Sequence, residues 1–316
     1  MTETPSGPAG LFVRSPGNPI LEPARWPYLV NAVMNPGATR VGDETVLLCR
    51  AEDCRGISHL TPARSPDGHT NWVVDERPFL VADEKVESEM WGLEDPRVTR
   101  VDELDRWVIA YTTYGRGGPS LSIATTSDFR SVERVGMAMA PEDKNGALLP
   151  RRIDGKWVLF HRPVAAMQMR ADIWLSRSYD LTSWMAPEPV MGARDGAWWD
   201  SARIGAGPPP LETSEGWLLV YHGVRVTVAG ALYRVGLALL DLDDPSRVIR
   251  RCDEWVLGPR APYELTGDVP GVVFPCGMIH DPVTDELRLY YGAADTTIGL
   301  AVAPLADVLE HVLRPT

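Results

Sequence analysis

Short apolar runs bounded by turn residues recur along this chain and spell out a hairpin five times, each with polar residues at its open end. The first runs from Asn35 through the turn at Gly42-Asp43 and returns along Val46-Leu47-Leu48 to Arg50. The second leaves Asp95, passes Val98 and the turn at Glu103 and Asp105, and returns along Trp107-Val108-Ile109 to Tyr114. The third starts at Lys144, turns at Asp154-Gly155 and comes back along Trp157-Val158-Leu159-Phe160 to His161 and Arg162. The fourth goes from Arg203 through Glu215-Gly216 and Trp217-Leu218-Leu219-Val220 to His222; the fifth descends from Phe274, turns near Asp285 and climbs Leu287 to Tyr291 towards Asp295. An antiparallel hairpin begins and ends at the same edge, so each copy delivers its polar residues to one end. Five such ends around one axis make one pocket.

A period of roughly 50 to 65 residues is that of four-stranded sheets repeated radially, which hides sheet edges in a β-propeller. The pattern predicts an all-β, five-bladed β-propeller. Ser65-Pro66-Asp67-Gly68, Ser127-Asp128-Phe129 and Ser178-Tyr179-Asp180 fall after hairpins, where a blade's outer turn belongs. A β-sandwich also has many short strands, but nothing in it requires the polar ends to repeat. One catalytic domain is expected over residues 1–316, with residues 1–10 disordered. The run Leu305 to Leu313 after Pro304 has helical spacing and predicts a short terminal helix, docked on the propeller or on a partner subunit.

Composition agrees: 316 residues, 44% hydrophobic, with 28 Gly and 28 Pro, give turn material and enough chain for a substantial core. No run reaches the length of a membrane span, and Met1 to Gly7 lacks the features of a secretory signal, so the cytoplasm is the expected location. Cys49, Cys54, Cys252 and Cys276 have no zinc-type spacing, and neither a disulfide, a metal nor a cofactor is called for. A net charge of −12 argues against nucleic acid or an anionic membrane as partner.

Against that acidic background, Arg50, Lys144, Arg162 and Arg203 all fall at hairpin mouths, with His161, His222 and Tyr233 alongside. Cations crowded on one axis repel unless an anion or carboxylates compensate them, and phosphate suits forked guanidinium donors. The second mouth supplies acid in Glu94-Asp95-Pro96-Arg97, where Pro96 is expected to force Asp95 into an extended conformation at a strand start; the fifth supplies Asp295 after Tyr290-Tyr291-Gly292. Carboxylates, aromatics and amides in a funnel are what a sugar site requires.

These residues add up to a resemblance. Asn35-Pro36-Gly37, Arg50-Ala51-Glu52-Asp53, Gly56-Ile57-Ser58-His59-Leu60, Gly92 to Thr99, Leu159-Phe160-His161-Arg162-Pro163, Ile204 to Pro210, Trp217 to Val224 and Tyr291 to Thr296 resemble, in order, glycoside hydrolase family 130. These are five-bladed mannoside phosphorylases and their hydrolytic relatives. The resemblance implies inverting phosphorolysis of a β-mannoside by inorganic phosphate, giving α-mannose 1-phosphate. It implies Asp95 as proton donor, acting through the mannose 3-hydroxyl, with Asn35, Arg50 and Asp295 holding the mannosyl ring. It implies a phosphate site of Lys144, Arg162, Arg203 and Tyr233 with His222 beside them; two of these positions vary between Lys and Arg in the family. Hydrolytic members lose this basic set, which is intact here.

Chemistry from the residues reaches the same place. An inverting hydrolase needs two carboxyl groups roughly 6.5 to 9.5 Å apart, one to deprotonate water, whereas phosphate is already an anionic nucleophile and needs only one acid plus cations. The alternatives are an inverting β-mannosidase, with Glu52, Glu94 or Glu264 as base, and a noncatalytic sugar-binding propeller, which Asp95 disfavours. Linkage, acceptor sugar and subunit number stay open, a homo-oligomer included.

Overall fold

Five antiparallel sheets, each running outward from an inner strand, carry the five hairpins. The computed structural model describes residues 10–164 and 171–314, so the disorder expected of residues 1–10 falls almost wholly outside the described residues. Blade 1 is β2 (Ala32–Val41), β3 (Glu44–Glu52), β4 (Ser58–Ser65) and β5 (Val73–Val74); blade 2 is β6 (Leu93–Val101), β7 (Arg106–Gly115), β8 (Gly118–Thr126) and β9 (Glu133–Met139). Blade 3 is β10 (Asp143–Leu148), β11 (Trp157–Pro163), β12 (Ile173–Ser178) and β13 (Trp184–Met191). In blade 4, β14 (Arg203–Ala206) and β15 (Leu211–Thr213) both pair with β16 (Gly216–Thr227), followed by β17 (Gly230–Leu240) and β18 (Val248–Arg251). Blade 5 is β19 (Val273–Asp281), β20 (Glu286–Ala293) and β21 (Thr297–Pro304), completed by β1 (Val13–Arg14) from the start of the chain.

This is the five-bladed propeller that the pattern predicts, with two local differences. The first strand of the fourth hairpin is broken, because Pro208, Pro209 and Pro210 have no N–H for the ladder. And the ring closes through β1, paired antiparallel with β21 at Val13 to Val302 and Arg14 to Ala301. A two-residue strand leaves no periodic trace in the sequence. The outer turns, by contrast, repeat as expected: Ser65, Thr126 and Ser178 accept the N–H groups of Gly68, Phe129 and Leu181, while Asp67, Asp128 and Asp180 accept those of the following residues.

The core lies between neighbouring blades, where wide side chains such as Trp157 and Trp217 are buried. The terminal helix spans Leu305–Leu313 and docks on the chain's own blades 4 and 5, burying Leu305, Val308 and Val312 against Leu237, Leu287 and Leu289.

Closure rests on a buried ion pair. Arg14 donates to Glu264 through Nε (2.7 Å) and Nη2 (2.8 Å), and the same carboxylate accepts from the Tyr291 hydroxyl (2.8 Å) and the Arg260 and Ala261 N–H groups. Burial pushes the Glu264 carboxyl up, but Arg14 and the backbone donors outweigh it and hold it below its ordinary value. Arg14→Ala leaves this carboxylate without its counter-charge, so the variant should lose about 3 kcal/mol of stability, read as a lower urea midpoint at unchanged slope. Since the folded value is depressed, that stability is present above the ordinary carboxylate range and is lost as pH falls through the folded value. The acid limb of the stability profile should therefore be shallower in Arg14→Ala.

Candidate active site

Three inner strands share one irregularity, and it aims the chemistry at the axis. In β2 the register slips between Met34 and Gly37, in β6 between Glu94 and Arg97, in β10 between Lys144 and Ala147, so that two residues oppose one on the neighbouring strand. The extra pairs are Asn35-Pro36, Asp95-Pro96 and Asn145-Gly146, and Asn35, Asp95 and Asn145 all take left-handed backbone conformations, with φ of 48°, 50° and 60°; Asp95 is thus not extended as expected from Pro96, because it is the bulged residue of β6. Such bulges re-aim a side chain, and Asn and Asp tolerate φ > 0 better than most residues. Asp295 is held the same way, with φ of 49°. Close approach of the inner strands keeps the groups together: a Cβ on Gly292 would sit 1.9 Å from Asn35 Oδ1.

The side chains meet in two adjoining hollows, about 210 Å³ and about 370 Å³. Asn35, Arg50, Asp95, Asn145, Phe274 and Asp295 line the inner one; Tyr114 and Arg203 line the outer; Glu94, Lys144, Arg162 and Tyr233 line both. A larger hollow of about 580 Å³ beside Arg25, His69 and Trp72 contains none of these groups. Of the residues singled out in the sequence, Asn35, Arg50, Asp95, Lys144, Arg162, Arg203, Tyr233 and Asp295 therefore come together. His222 does not line the pocket. It is fully buried behind Arg162, whose Nη1 donates to its Nε2 at 3.2 Å, and its ring lies tilted against Phe274, centroids 4.5 Å apart. An arginine cannot accept, so His222 is a neutral imidazole with its proton on Nδ1.

His161 also points elsewhere. Neighbouring residues of a strand face opposite sides, so with Arg162 in the pocket His161 lies in the sheet interior, bonded to Asp143 (2.6 Å) and Ser176 (3.0 Å). Among the glutamates considered as a hydrolytic base, Glu264 is buried in the Arg14 ion pair and Glu52 lies outside both hollows; only Glu94 reaches them, 3.2 Å from Arg50. Reading the sequence missed Asn145 and Arg97. Asn145-Gly146 repeats the Asn35-Pro36 and Asp95-Pro96 bulge, a signal that would have found the first. Arg97 is buried under the pocket, donating to the backbone carbonyls of Asp95 (2.5 Å) and Gly207 (3.2 Å), and nothing local announces that.

Charge is segregated. Asn35 Nδ2 donates to Asp95 Oδ1 at 2.7 Å, and Arg50 reaches the same oxygen at 3.3 Å while its Nε donates to Ser58. Burial raises the Asp95 carboxyl, yet Arg50, Arg97 and Lys144 prevail and hold it below its usual range. Asp295 behaves oppositely: burial, with Asp95, Glu94 and Glu52 nearby, pushes it up to about 6 against the pull of Arg50. On the other wall burial, reinforced by Arg203 and Arg97, brings Arg162 down to about 10; burial also lowers Lys144, and His222 falls well below its ordinary value through burial and Arg162. Buried polar atoms without a protein partner collect here too: Asn35 Oδ1, Arg97 Nη2, Asn145 Oδ1, Arg162 Nε and His222 Nδ1. Five further such atoms, on Trp26, Trp72, Thr112, Asp200 and Thr297, lie away from the pocket, but those gathered round it stand where a polar ligand would satisfy them.

The family model described as beta-1,4-mannooligosaccharide phosphorylase matches residues 20–314. The chain belongs to glycoside hydrolase family 130. It is 36% identical over 307 residues to the Beta-1,4-mannooligosaccharide phosphorylase of Ruminococcus albus, covering 95% of this chain and 90% of that one. Its fold superposes on the beta-1,2-mannobiose complex of Beta-1,2-Mannobiose phosphorylase from Listeria innocua with a TM-score of 0.86, at 30% identity over 95% of this chain and 99% of the other. A structure of the same family's glycoside hydrolases that target beta-1,2 mannosidic linkages in Candida mannan superposes with a TM-score of 0.82, at 28% identity and 96% coverage of both chains. Family membership thus fixes the architecture, and the lining side chains decide between phosphate and water.

The basic wall generates a prediction. Arg162 is desolvated and lies near other cations, so Arg162→Met should melt no lower than the parent in phosphate-free buffer. The parent should melt higher as phosphate is added, by mass action, and Arg162→Met should lose that rise. A large drop in melting temperature without phosphate would show Arg162 to be structural.

Proposed function

We infer that this chain catalyses phosphorolysis of β-mannosides with inversion, releasing α-mannose 1-phosphate and a shortened acceptor. The observation that carries the reading is the wall of Lys144, Arg162, Arg203 and Tyr233 across the pocket from Asn35, Arg50, Asp95 and Asp295. Arg203 Nη2 donates to the Tyr233 hydroxyl at 2.9 Å, which orients a second donor beside the guanidinium. A phosphate seated there gains charge-assisted hydrogen bonds and lowers the repulsion among the cations. His222 positions Arg162 and is not itself a phosphate ligand in this reading.

Asp95 then donates the proton, by way of the mannose 3-hydroxyl, to the glycosidic oxygen, while phosphate attacks the anomeric carbon from the opposite face; the C–O bond to phosphate forms as the glycosidic bond breaks. Lys144, one of the cations that hold Asp95 ionised, also belongs to the phosphate wall, so phosphate bound there weakens its pull and raises the Asp95 carboxyl towards protonation. Nothing in this scheme needs a cofactor beyond phosphate. The cytoplasm suits it, since phosphate is present there and a sugar phosphate is retained; among the described residues no helix is long and apolar enough to cross a membrane.

Hydrolysis is the second reading, favoured by Glu94 in the pocket and by the hydrolases among the structural neighbours. One experiment separates the two. Cleavage of a susceptible β-mannoside should be very slow without phosphate and restored by it, with proton NMR showing α-mannose 1-phosphate; free mannose released at equal rates with and without phosphate would promote hydrolysis. Asp95→Asn preserves shape and most hydrogen bonds but cannot donate, so turnover should fall by about 10²- to 10⁴-fold at an unchanged melting temperature. Near-normal turnover would remove Asp95 from the proton path.

A further inference from the structure

Arg97 carries neither phosphate, sugar nor proton, yet it is only 1% exposed beneath the pocket. What holds it is backbone: Nη1 donates to the Asp95 carbonyl at 2.5 Å and Nε to the Gly207 carbonyl at 3.2 Å, with the guanidinium 5.5 Å from the centre of the Phe274 ring. Burying a guanidinium is expensive, and two carbonyls return less than a carboxylate would. An apolar side chain of similar size would fill this space at lower cost, so the charge and the fork have a use beyond packing.

The two carbonyls indicate that use. Asp95 is the bulged residue of β6, in a left-handed conformation that costs energy and persists only where its surroundings over-determine it. Gly207 follows β14 in blade 4, the strand that begins with Arg203. Its chain passes so close to its neighbour that a Cβ there would stand 2.7 Å from the Val220 carbonyl oxygen. Arg97 thus clasps the strained residue and ties it across the axis to the blade that bears part of the basic wall. We propose that Arg97 is a positioning residue for the reaction, whose clamp on two carbonyls holds the turn that aims the Asp95 carboxyl and fixes it relative to that wall. Its charge acts at the same place. Burial raises the Asp95 carboxyl, but Arg50, Arg97 and Lys144 hold it down; on the other wall Arg97 adds to the burial that lowers Arg162 and His222. The remaining groups facing Asp95 are Glu94 of its own strand, Asp295 after β20, and Cys276 of β19, whose thiol burial pushes up. The inference rests on Asp95 as proton donor, a role that phosphorolysis and hydrolysis share.

Steady-state kinetics of Arg97→Lys and Arg97→Met across pH, with β-mannoside and phosphate both saturating, test it. Lysine keeps the charge but not the forked reach, so Arg97→Lys should lose kcat by ~10- to 10²-fold, with both Michaelis constants within about twofold and the alkaline limb of kcat where it stands in the wild type. That limb falls as Asp95 gives up its proton, and removing the cation raises the carboxyl; Arg97→Met should therefore lose kcat at least as far and carry the limb upward by about 1 pH unit. If the methionine variant misfolds, the split between kcat and KM in the lysine variant carries the test. Wild-type kcat in Arg97→Lys, a loss shared equally by KM, or an unmoved limb in a folded Arg97→Met would overturn the inference and leave Arg97 a structural residue. Near-normal turnover in Asp95→Asn would overturn it with its premise. The same Arg97 effects on turnover that is independent of phosphate would uphold it and sink the phosphorylase reading instead.

Discussion

Everything at the axis depends on burying cations and carboxylates together without letting either sign go uncompensated. Arg50 is the hinge of that balance. Its guanidinium lies within salt-bridge distance of Glu52, Glu94 and Asp95, and their combined field, with Asp295, outweighs burial and holds it charged. The opposite wall is less fully compensated: Glu94 and Asp95 favour charged Lys144, and Tyr233 and Asp143 charged Arg162, yet burial outweighs them and lowers both. One side of the pocket is thus satisfied by the protein, and the other is the side on which the proposed phosphate would supply the missing negative charge. A buried charge set that is completed by its substrate sacrifices stability for binding, a familiar bargain at active sites.

Backbone geometry places these charges. Left-handed residues and bulges cost energy, and three inner strands accept that cost at the same place, with Asn or Asp as the residue that bears it most easily. The bulge turns Asn35, Asp95 and Asn145 inward, and the Asn35 to Asp95 hydrogen bond ties blade 1 to blade 2 across the axis. Rigid sheets outside the bulges, packed blade on blade by buried tryptophans and aliphatic side chains, keep those positions from relaxing.

The likeness to both phosphorylases and hydrolases shows that this propeller accommodates either nucleophile. The difference between them is electrostatic. Attack by phosphate demands a cationic wall and one acid; attack by water demands a second carboxyl free to act as base. Here the only glutamate among those considered that reaches the pocket is already engaged by Arg50.

Five hairpins with polar mouths were legible in the sequence because strand pairing is local and turn residues mark it: the outer turns at Asp67, Asp128 and Asp180 form as their spacing predicts. Most pocket residues followed, since a hairpin's two ends share one edge. What the sequence could not show are contacts that join distant segments. Arg14 and Glu264 are 250 residues apart, and the strand that closes the ring is two residues long. The inward face of Arg162 against the buried face of His161 is set by strand register, and the place of His222 behind Arg162 is set by how blade 4 packs on blade 3. Periodicity determines which residues reach the axis; only tertiary packing determines which of them face the pocket and which lie behind it, because burial and charge compensation are properties of neighbours supplied by other blades.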